Sequence, residues 1–252
     1  MDSINYANLI QTSVLPSQDG LKDYPFQDSF ILYLPRDVVS GDFYWFTRHE
    51  NHVIICCGDC TGHGVHGAFL TMIGTTILND AAHDPAMLTP CKLLDKLDKE
   101  IKATLNKNVT TEEKRDGMDC VIIDINLDTL EVVSAAARRP VNFIVKGNLE
   151  TVKGTRRDIG EPRTANEFVE TITQLHKGDY IYMCSDGFGD QMGGSPNDDD
   201  LIKFSTKRYN EMLMNLHELP MSEQKVEMDR ILKEWCGHYE RVDDVIVMGI
   251  KL

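Results

Sequence analysis

Four aspartates, spread over about two hundred residues, are the side chains best suited to chemistry. They are Asp42 in Ser-Gly-Asp-Phe-Tyr, Asp59 in Gly-Asp-Cys-Thr-Gly-His-Gly, Asp186 in Ser-Asp-Gly and Asp243 in Val-Asp-Asp-Val. Each lies at the end of an apolar, strand-like run or just before one, so a folded sheet could bring all four carboxylates to one rim. Carboxylate oxygens are the ligands that Mg²⁺ and Mn²⁺ prefer. The pattern predicts a site for hard divalent cations.

The same short motifs are also ordinary turn signals. Asp bonds to its own backbone and Gly accepts a positive φ, so Asp-Gly and Gly-Asp pairs are common in loops. Any one of these aspartates, taken alone, is more often part of a plain turn than of a functional site. The joint occurrence of all four in this order favours the metal interpretation.

The residues after Asp59 predict a strand end, a glycine-flanked turn and a helix that begins at Gly64. The first N–H groups of such a helix favour anions, so a phosphate could be bound close to Asp59. His63, within the turn, is a candidate general acid for a leaving alkoxide at neutral pH, and equally a residue that caps the turn.

The elements that must position these residues follow from hydrophobic periodicity. Strands are expected at 30–34, 42–47, 52–57, 118–125, 130–135, 141–145, 149–152, 168–173, 180–184 and 245–251, and helices at 64–82, 90–105, 207–216 and 222–236. The first two of these helices should pack on the same sheet. The order of strands, helix pair, strands, helix pair and strand predicts an α+β layered sandwich with helices outside two sheets.

Composition narrows the class of protein. A chain of 252 residues with 42% hydrophobic and 26% charged residues can form one large domain. A net charge of −14 argues against a nucleic-acid partner, and the chain has no apolar run long enough to cross a bilayer, so we expect no membrane contact by this domain. Seven cysteines, an odd number, fit reduced thiols and a cytoplasmic location.

The chain divides into a short N-terminal linker segment and one large domain. Residues 1–16 predict a linker helix stopped by Pro16, and residues 17–252 form the domain. Such a helix would suit the tail of a linker from an upstream sensor region, which could attach the domain to a membrane protein. It would also offer a surface for a homodimer.

Together the motifs resemble those of a known enzyme family. Ser-Gly-Asp-Phe-Tyr, Asp-x-Thr-Gly-His-Gly-Val, Ser-Asp-Gly and Asp-Asp-Val are similar, in order, to the motifs of metal-dependent protein phosphatases (PPM, or protein phosphatase 2C, type), specifically the bacterial SpoIIE-like branch. The resemblance covers nearly the whole chain, from Tyr6-Ala-x-x-Ile-Gln to the last strand. It implies a two-sheet β-sandwich flanked by antiparallel helix pairs that hydrolyses phosphoserine or phosphothreonine.

The resemblance also implies two divalent cations, Mn²⁺ or Mg²⁺, and a role for each aspartate. Asp59 would bridge both ions, and Asp186 and Asp243 would complete one of them. Asp42 and the backbone carbonyl of Cys60 would belong to the other. A metal-bridging water would attack phosphorus in line, so no covalent enzyme intermediate is needed.

Where this branch often has a Gly-His-Asn-Pro turn, the chain has Ala-Ala-Arg-Arg-Pro at 136–140. Arg138 and Arg139 could clamp a phosphate bidentately, dock a partner or simply be exposed, and exposure or docking is favoured. Arg36, six residues before Asp42, is a better phosphate-contact candidate because it should leave the same strand end.

A third metal ion is a further expectation. Asp116 and Asp119 lie near the place where some relatives have a ligand for it. Their local spacing does not decide the matter.

Three functions are compatible with these residues. The first is a serine/threonine phosphatase that acts on a phosphorylated small regulatory protein, of the STAS-like, anti-sigma-factor-antagonist kind. The second is a binding module that keeps the fold and has lost catalysis, although the presence of all four carboxylates argues against it. The third is a phosphatase for small phosphoesters that uses the same metals.

Overall fold

The structure is a computed structural model that describes residues 3–105, 116–160, 166–194 and 201–252. Its strands are β1 (Asp28–Leu34), β2 (Asp42–His49), β3 (His52–Cys60), β4 (Met118–Asn126), β5 (Glu131–Ala137), β6 (Val141–Val145), β7 (Asn148–Val152), β8 (Thr171–Gln174), β9 (Tyr180–Cys184), β10 (Met192–Gly193), β11 (Ile202–Lys203) and β12 (Val245–Lys251). Its α-helices are α1 (Ser3–Val14), α2 (Gly64–Ala81), α3 (Pro90–Thr104), α4 (Gly187–Asp190), α5 (Ser205–Leu216) and α6 (Met221–Cys236).

Two five-stranded antiparallel sheets form the centre of the fold. One sheet has the strand order β1-β12-β9-β6-β7 and the other has the order β2-β3-β4-β5-β8, while β10 and β11 form a small separate ribbon. One apolar cluster fills the space between the sheets and reaches α2 and α3, and a second lies under α5 and α6. The predicted α+β sandwich is confirmed.

The first helix pair covers the β2-β3-β4-β5-β8 sheet, as expected. α2 packs on β2 and β3, and α3 packs on β4 and β5. In α3, Leu94, Leu97 and Ile101 are buried at the three- and four-residue spacing of one helix face. Near the start of α2, a Cβ added to Gly67 would lie 2.6 Å from the Cα of Gly41. Glycine at both positions therefore brings the start of α2 against the residue before Asp42.

The second helix pair covers the other sheet, with α6 packed on β1 and β12. Both helices begin slightly earlier than the sequence predicts, and the short helix α4 was not predicted. β3 runs three residues further than expected, to Cys60, because it remains paired with β4 as far as Met118. β8 begins only at Thr171, where its pairing with Ser134 of β5 starts. The preceding Phe168 ring packs under the guanidinium of Arg157, 4.2 Å from it.

The N-terminal helix α1 is joined to the domain by one buried amide. The side chain of Gln11 donates to the carbonyl of Ser40 at 2.6 Å and accepts from the N–H of Ser40 at 3.0 Å. α1 thus contacts the loop that leads into Asp42. In the described ranges, no helix has the length and apolar character needed to span a membrane.

Candidate active site

Three aspartates line up across three neighbouring strands. Asp42 at the start of β2 is directly opposite Asp59 on β3, and Asp59 is directly opposite Asp119 on β4. Residues opposite one another in an antiparallel pair project from the same face, with Cβ atoms about 4.5–5.5 Å apart. The strand register therefore forms a row of carboxylates at one end of the sheet. Asp119 belongs to this row together with the two aspartates expected from their motifs.

The other sheet supplies two more aspartates. β9 ends at Cys184 and β12 begins at Val245, and the two strands are antiparallel neighbours, with Cys184 opposite Val247. The end of β9 and the start of β12 therefore lie at the same edge, and this places Asp186 and Asp243 together.

One open cavity of about 310 Å³ lies where the two sheet ends meet. It is lined by Asp59, Cys60, Thr61, Gly62, Met118, Asp119, Arg138, Arg139, Asp158, Asp186 and Asp243. Asp42 is buried beside the cavity, 2% exposed, and its carboxylate accepts a hydrogen bond of 2.6 Å from the hydroxyl of Ser185. Four of the five expected metal-ligand positions line the cavity, and the fifth, Asp42, lies opposite the cavity-lining Asp59 in the strand pairing.

Arg139 lies among the carboxylates, and the expectation that its side chain is exposed is wrong, whereas docking of a partner stays a prediction. Its Nη2 donates to Asp119 Oδ2 at 2.9 Å and to Asp186 Oδ2 at 3.0 Å, and its Nη1 lies 3.8 Å from Asp59 Oδ2. Only 18% of the side chain is exposed. The expectation fails because surface arginines are common, whereas here three carboxylates compensate the burial of the charge.

Arg138 points away from its neighbour. Its backbone is left-handed, with φ of 58°, so the chain turns sharply between the two arginines. The side chain is 53% exposed and forms an ion pair with Asp158. Arg138 therefore lines the cavity at its outer part and fits the expected exposure.

Three weaker candidates are not among the residues that line the cavity. The guanidinium of Arg36 donates to the carbonyl of Val242 at 2.8 Å. His63 Nδ1 lies 2.9 Å from Asp37 Oδ2, and Asp116 Oδ1 lies 2.9 Å from His66 Nε2. These contacts do not support the roles predicted for the three residues. Phosphate binding by Arg36, general-acid catalysis by His63 and binding of a third metal ion by Asp116 stay predictions.

Burial and mutual repulsion raise the pKa values of four of these aspartates. Burial, then the charge of Asp186, raises the pKa of Asp59 well above its usual value, against the opposing effect of Arg139. Burial and then Asp59 raise the pKa of Asp42, while its hydrogen bond from Ser185 lowers it. Burial also raises the pKa of Asp119 and of Asp243. Additional positive charge at this site would stabilise the ionised carboxylates.

Comparison with known proteins identifies the family. The sequence pattern of Stage II sporulation protein E (SpoIIE) matches residues 49–252. The chain belongs to the SpoIIE family. A search of curated proteins finds no match.

Three solved structures share the fold of this SpoIIE-family chain. The SiaA-PP2C domain of Pseudomonas aeruginosa is 28% identical with a TM-score of 0.87, over 100% of this chain and 96% of that one. The RsbU and RsbW domains of Rv1364c from Mycobacterium tuberculosis are 17% identical with a TM-score of 0.69, over 90% of this chain and 60% of that one. RsbX in complex with magnesium is 14% identical with a TM-score of 0.58, over 89% and 94%. The chain is a PP2C-type serine/threonine protein phosphatase.

The donor chemistry of the SpoIIE-family site fits divalent cations. Across the described ranges, no three His, Cys, Asp or Glu side chains converge closely enough, as they are placed, to hold a metal ion. The guanidinium of Arg139 lies among three of the carboxylates. The site nevertheless gathers oxygen donors in excess of positive charge, the composition that hard cations favour. Arg139 is the positive charge that contacts Asp59, Asp119 and Asp186 in this structure.

Two buried residues that the motifs did not single out hold the SpoIIE-family site together. Asp244 accepts from the N–H of Arg36 and from the N–H of Gly41, both at 2.7 Å, and so ties the start of β12 to the loop before Asp42. Ser185 bonds to Asp42. Both residues lie beside a predicted ligand in the sequence, and that adjacency was the only signal available for them.

Proposed function

We propose that Asp42, Asp59, Asp186, Asp243 and the backbone carbonyl of Cys60 hold two divalent cations, Mn²⁺ or Mg²⁺, in this phosphatase. The strand register that aligns Asp42 with Asp59 is the single observation that carries the proposal. It brings one carboxylate from each of two strands to the edge where Asp186 and Asp243 arrive from the other sheet. Magnesium bound to RsbX is consistent with it, because that protein shares the fold.

Asp42, Asp59, Asp186 and Asp243 would hold the cations, whose chemistry when bound would be to polarise the phosphoryl group and to lower the pKa of a water that serves as the nucleophile. The chain's own residues would orient the reaction. Carboxylates from two sheets fix the position of the positive charge. Arg138, which lines the cavity and is more than half exposed, would contact a phosphate only by leaving its ion pair with Asp158.

We propose that the substrate is a phosphoserine or phosphothreonine on a small folded regulatory protein, of the STAS-like kind. The cavity is open, so a side chain presented by a folded protein can enter it. The occurrence of RsbU and RsbW domains in one related chain supports a regulatory context. Because this chain carries a net charge of −14, binding of a phosphoprotein would depend on the local cations.

A metal-dependence experiment tests the proposal. Phosphate release from a phosphoserine-bearing regulatory domain is measured with Mn²⁺, with excess chelator, and for Asp59→Asn. We expect chelator and Asp59→Asn each to abolish turnover while Asp59→Asn keeps the wild-type circular dichroism spectrum. Asp128→Asn, in the exposed turn after β4, is the matched control and should keep its activity. Full activity in chelator would contradict the proposal.

A second measurement distinguishes a phosphoprotein substrate from a small phosphoester. The ratio of kcat/KM for the phosphoprotein to kcat/KM for p-nitrophenyl phosphate should be large if contacts outside the cavity contribute to binding. A phosphoester turned over as efficiently as every phosphoprotein tested would favour the alternative.

A further inference from the structure

Arg139 is the cation most deeply engaged with the aspartates of the cavity. It makes two charge-assisted hydrogen bonds, to Asp119 and Asp186, and lies 3.8 Å from Asp59. Such bonds are about twice as strong as those between neutral groups. The guanidinium therefore occupies the space beside Asp59 and Asp186, two of the carboxylates that the proposed cations need.

We propose that Arg139 is a resident counter-cation of the site and that divalent cations bind by displacing its guanidinium from Asp59, Asp119 and Asp186. This inference rests on the proposed function, because it presupposes that the carboxylates take up metal. It adds a competitor that lies within the chain and sets the metal affinity of the enzyme.

The charge balance of the cavity supports this assignment. Among its lining residues, Asp158 is already paired with Arg138. Asp59, Asp119, Asp186 and Asp243 then share Arg139 as the remaining arginine or lysine of the lining. A single positive charge leaves these four carboxylates strongly under-compensated. Two divalent cations would carry four positive charges and would outcompete one guanidinium.

The structure also offers space into which the side chain can move. Arg139 and Asp186 line a second, smaller cavity of about 90 Å³, on whose far side lie Thr206 and Tyr209. The hydroxyl of Tyr209 is buried beside the thiol of Cys184. A guanidinium leaving the carboxylates could turn toward this cavity and toward that hydroxyl, which can accept a hydrogen bond.

The same contacts explain why a cation is needed in the folded protein before metal arrives. Buried carboxylates left without a partner destabilise the fold, and removing one member of a buried ion pair is strongly destabilising. Arg139 therefore stabilises the fold when metal is scarce and lowers the affinity for metal when it is present. Removal of the Arg139 charge should therefore lower the stability of the metal-free protein and raise its affinity for metal, and these two quantities can be measured separately.

The test measures the binding of Mn²⁺ alone, by titration calorimetry, to wild type, Arg139→Gln and Arg138→Gln. Arg138→Gln is the matched control, because it removes the same charge from the neighbouring residue without touching the three carboxylates. We expect Arg139→Gln to bind Mn²⁺ about tenfold more tightly than wild type, and Arg138→Gln to change the affinity much less. Arg139→Lys keeps the charge but loses the planar fork, and should lie in between.

A thermal-melting series gives the second readout. In excess chelator, Arg139→Gln should melt at least about 2–4 °C below Arg138→Gln, and saturating Mn²⁺ should remove this difference. Equal or weaker Mn²⁺ binding by Arg139→Gln, or equal melting temperatures of the two variants in chelator, would overturn the inference while leaving the proposed function intact. Absence of Mn²⁺ binding by wild type would overturn both.

Discussion

Ser185 donates a hydrogen bond of 2.6 Å from its hydroxyl to the carboxylate of Asp42 and thereby joins the two sheets at the site. Asp42 begins β2 of one sheet, whereas Ser185 directly follows β9 of the other. The same hydroxyl oxygen accepts from the N–H of Ile246 at 3.1 Å. One side chain therefore connects a proposed metal ligand with the strands that carry Asp186 and Asp243.

Ser185→Ala should lower the free energy of unfolding by about 1–3 kcal/mol, because a buried carboxylate and a buried N–H lose their partner. Loss of the hydrogen bond should also raise the pKa of Asp42 further, so that Mn²⁺ binding shifts to higher pH. Urea unfolding and calorimetry at several pH values measure the two effects. Ser13→Ala, on the exposed side of α1, is the control. A stability and a pH profile equal to those of wild type would refute this role.

Without divalent cations, Asp59 should make the protein less stable as the pH rises. Burial, followed by the charge of Asp186, raises the pKa of this carboxyl above its usual value of 3.8 in the folded state. A group with a raised pKa contributes stability that is fully present below the unfolded value and is lost as the pH rises through the folded value. The loss should therefore begin near pH 3.8 and continue upward.

Asp59→Asn isolates this contribution, since the amide does not titrate. In metal-stripped protein, the variant should become steadily more stable relative to wild type as the pH increases from acid toward neutral. Chemical denaturation of both proteins at matched ionic strength measures the difference. A constant difference over this range would show that Asp59 titrates normally in the folded protein.

Much of the site was predictable because the alternation of apolar and polar residues indicates where strands begin and end. The predicted strands 42–47 and 52–57 form the observed hairpin, and when its pairing continues through the observed β3 it brings Asp42 opposite Asp59, two residues beyond the predicted strand end. Likewise, strands that end or begin at the same edge bring Asp186 and Asp243 together. The α+β architecture was predictable for the same reason.

The arginines were not predictable in this way. Arg138 and Arg139 are adjacent and chemically identical, yet Arg139 contacts Asp119 and Asp186 while Arg138 pairs with the more distant Asp158. Arg36 follows the end of β1, as expected, but its guanidinium donates a hydrogen bond to the carbonyl of Val242, more than two hundred residues away in the sequence. The positions of these arginine side chains depend on contacts with residues far away in the sequence, which hydrophobic periodicity does not predict.

Gln11→Ala should destabilise the protein although it lies in the N-terminal helix. The Gln11 amide satisfies both the N–H and the carbonyl of buried Ser40, so its loss should cost about 1–3 kcal/mol of unfolding free energy. Asn5→Ala, at an exposed position of the same helix, should be neutral or slightly stabilising because alanine favours helix. Equal unfolding free energies for the two variants would show that α1 is not anchored through Gln11.

A buried ion pair between α3 and the cavity-lining loop gives the last prediction. Asp98 accepts hydrogen bonds from Arg157 and, at 2.8 Å, from the N–H of Gly160. Between these two residues lie Asp158, which lines the cavity, and Ile159, whose backbone pairs with Met118 at the start of β4. The pair therefore fixes the loop that forms one side of the site.

Asp98→Asn should lower the free energy of unfolding by about 3–5 kcal/mol, because it leaves the Arg157 charge buried without its partner. Arg157→Gln alone should also destabilise, and the double variant should lose clearly less than the sum of the two single losses. Urea unfolding of all four proteins gives the coupling energy. Strictly additive losses would mean that the two side chains do not stabilise each other, and that α3 holds the loop only through the Gly160 N–H.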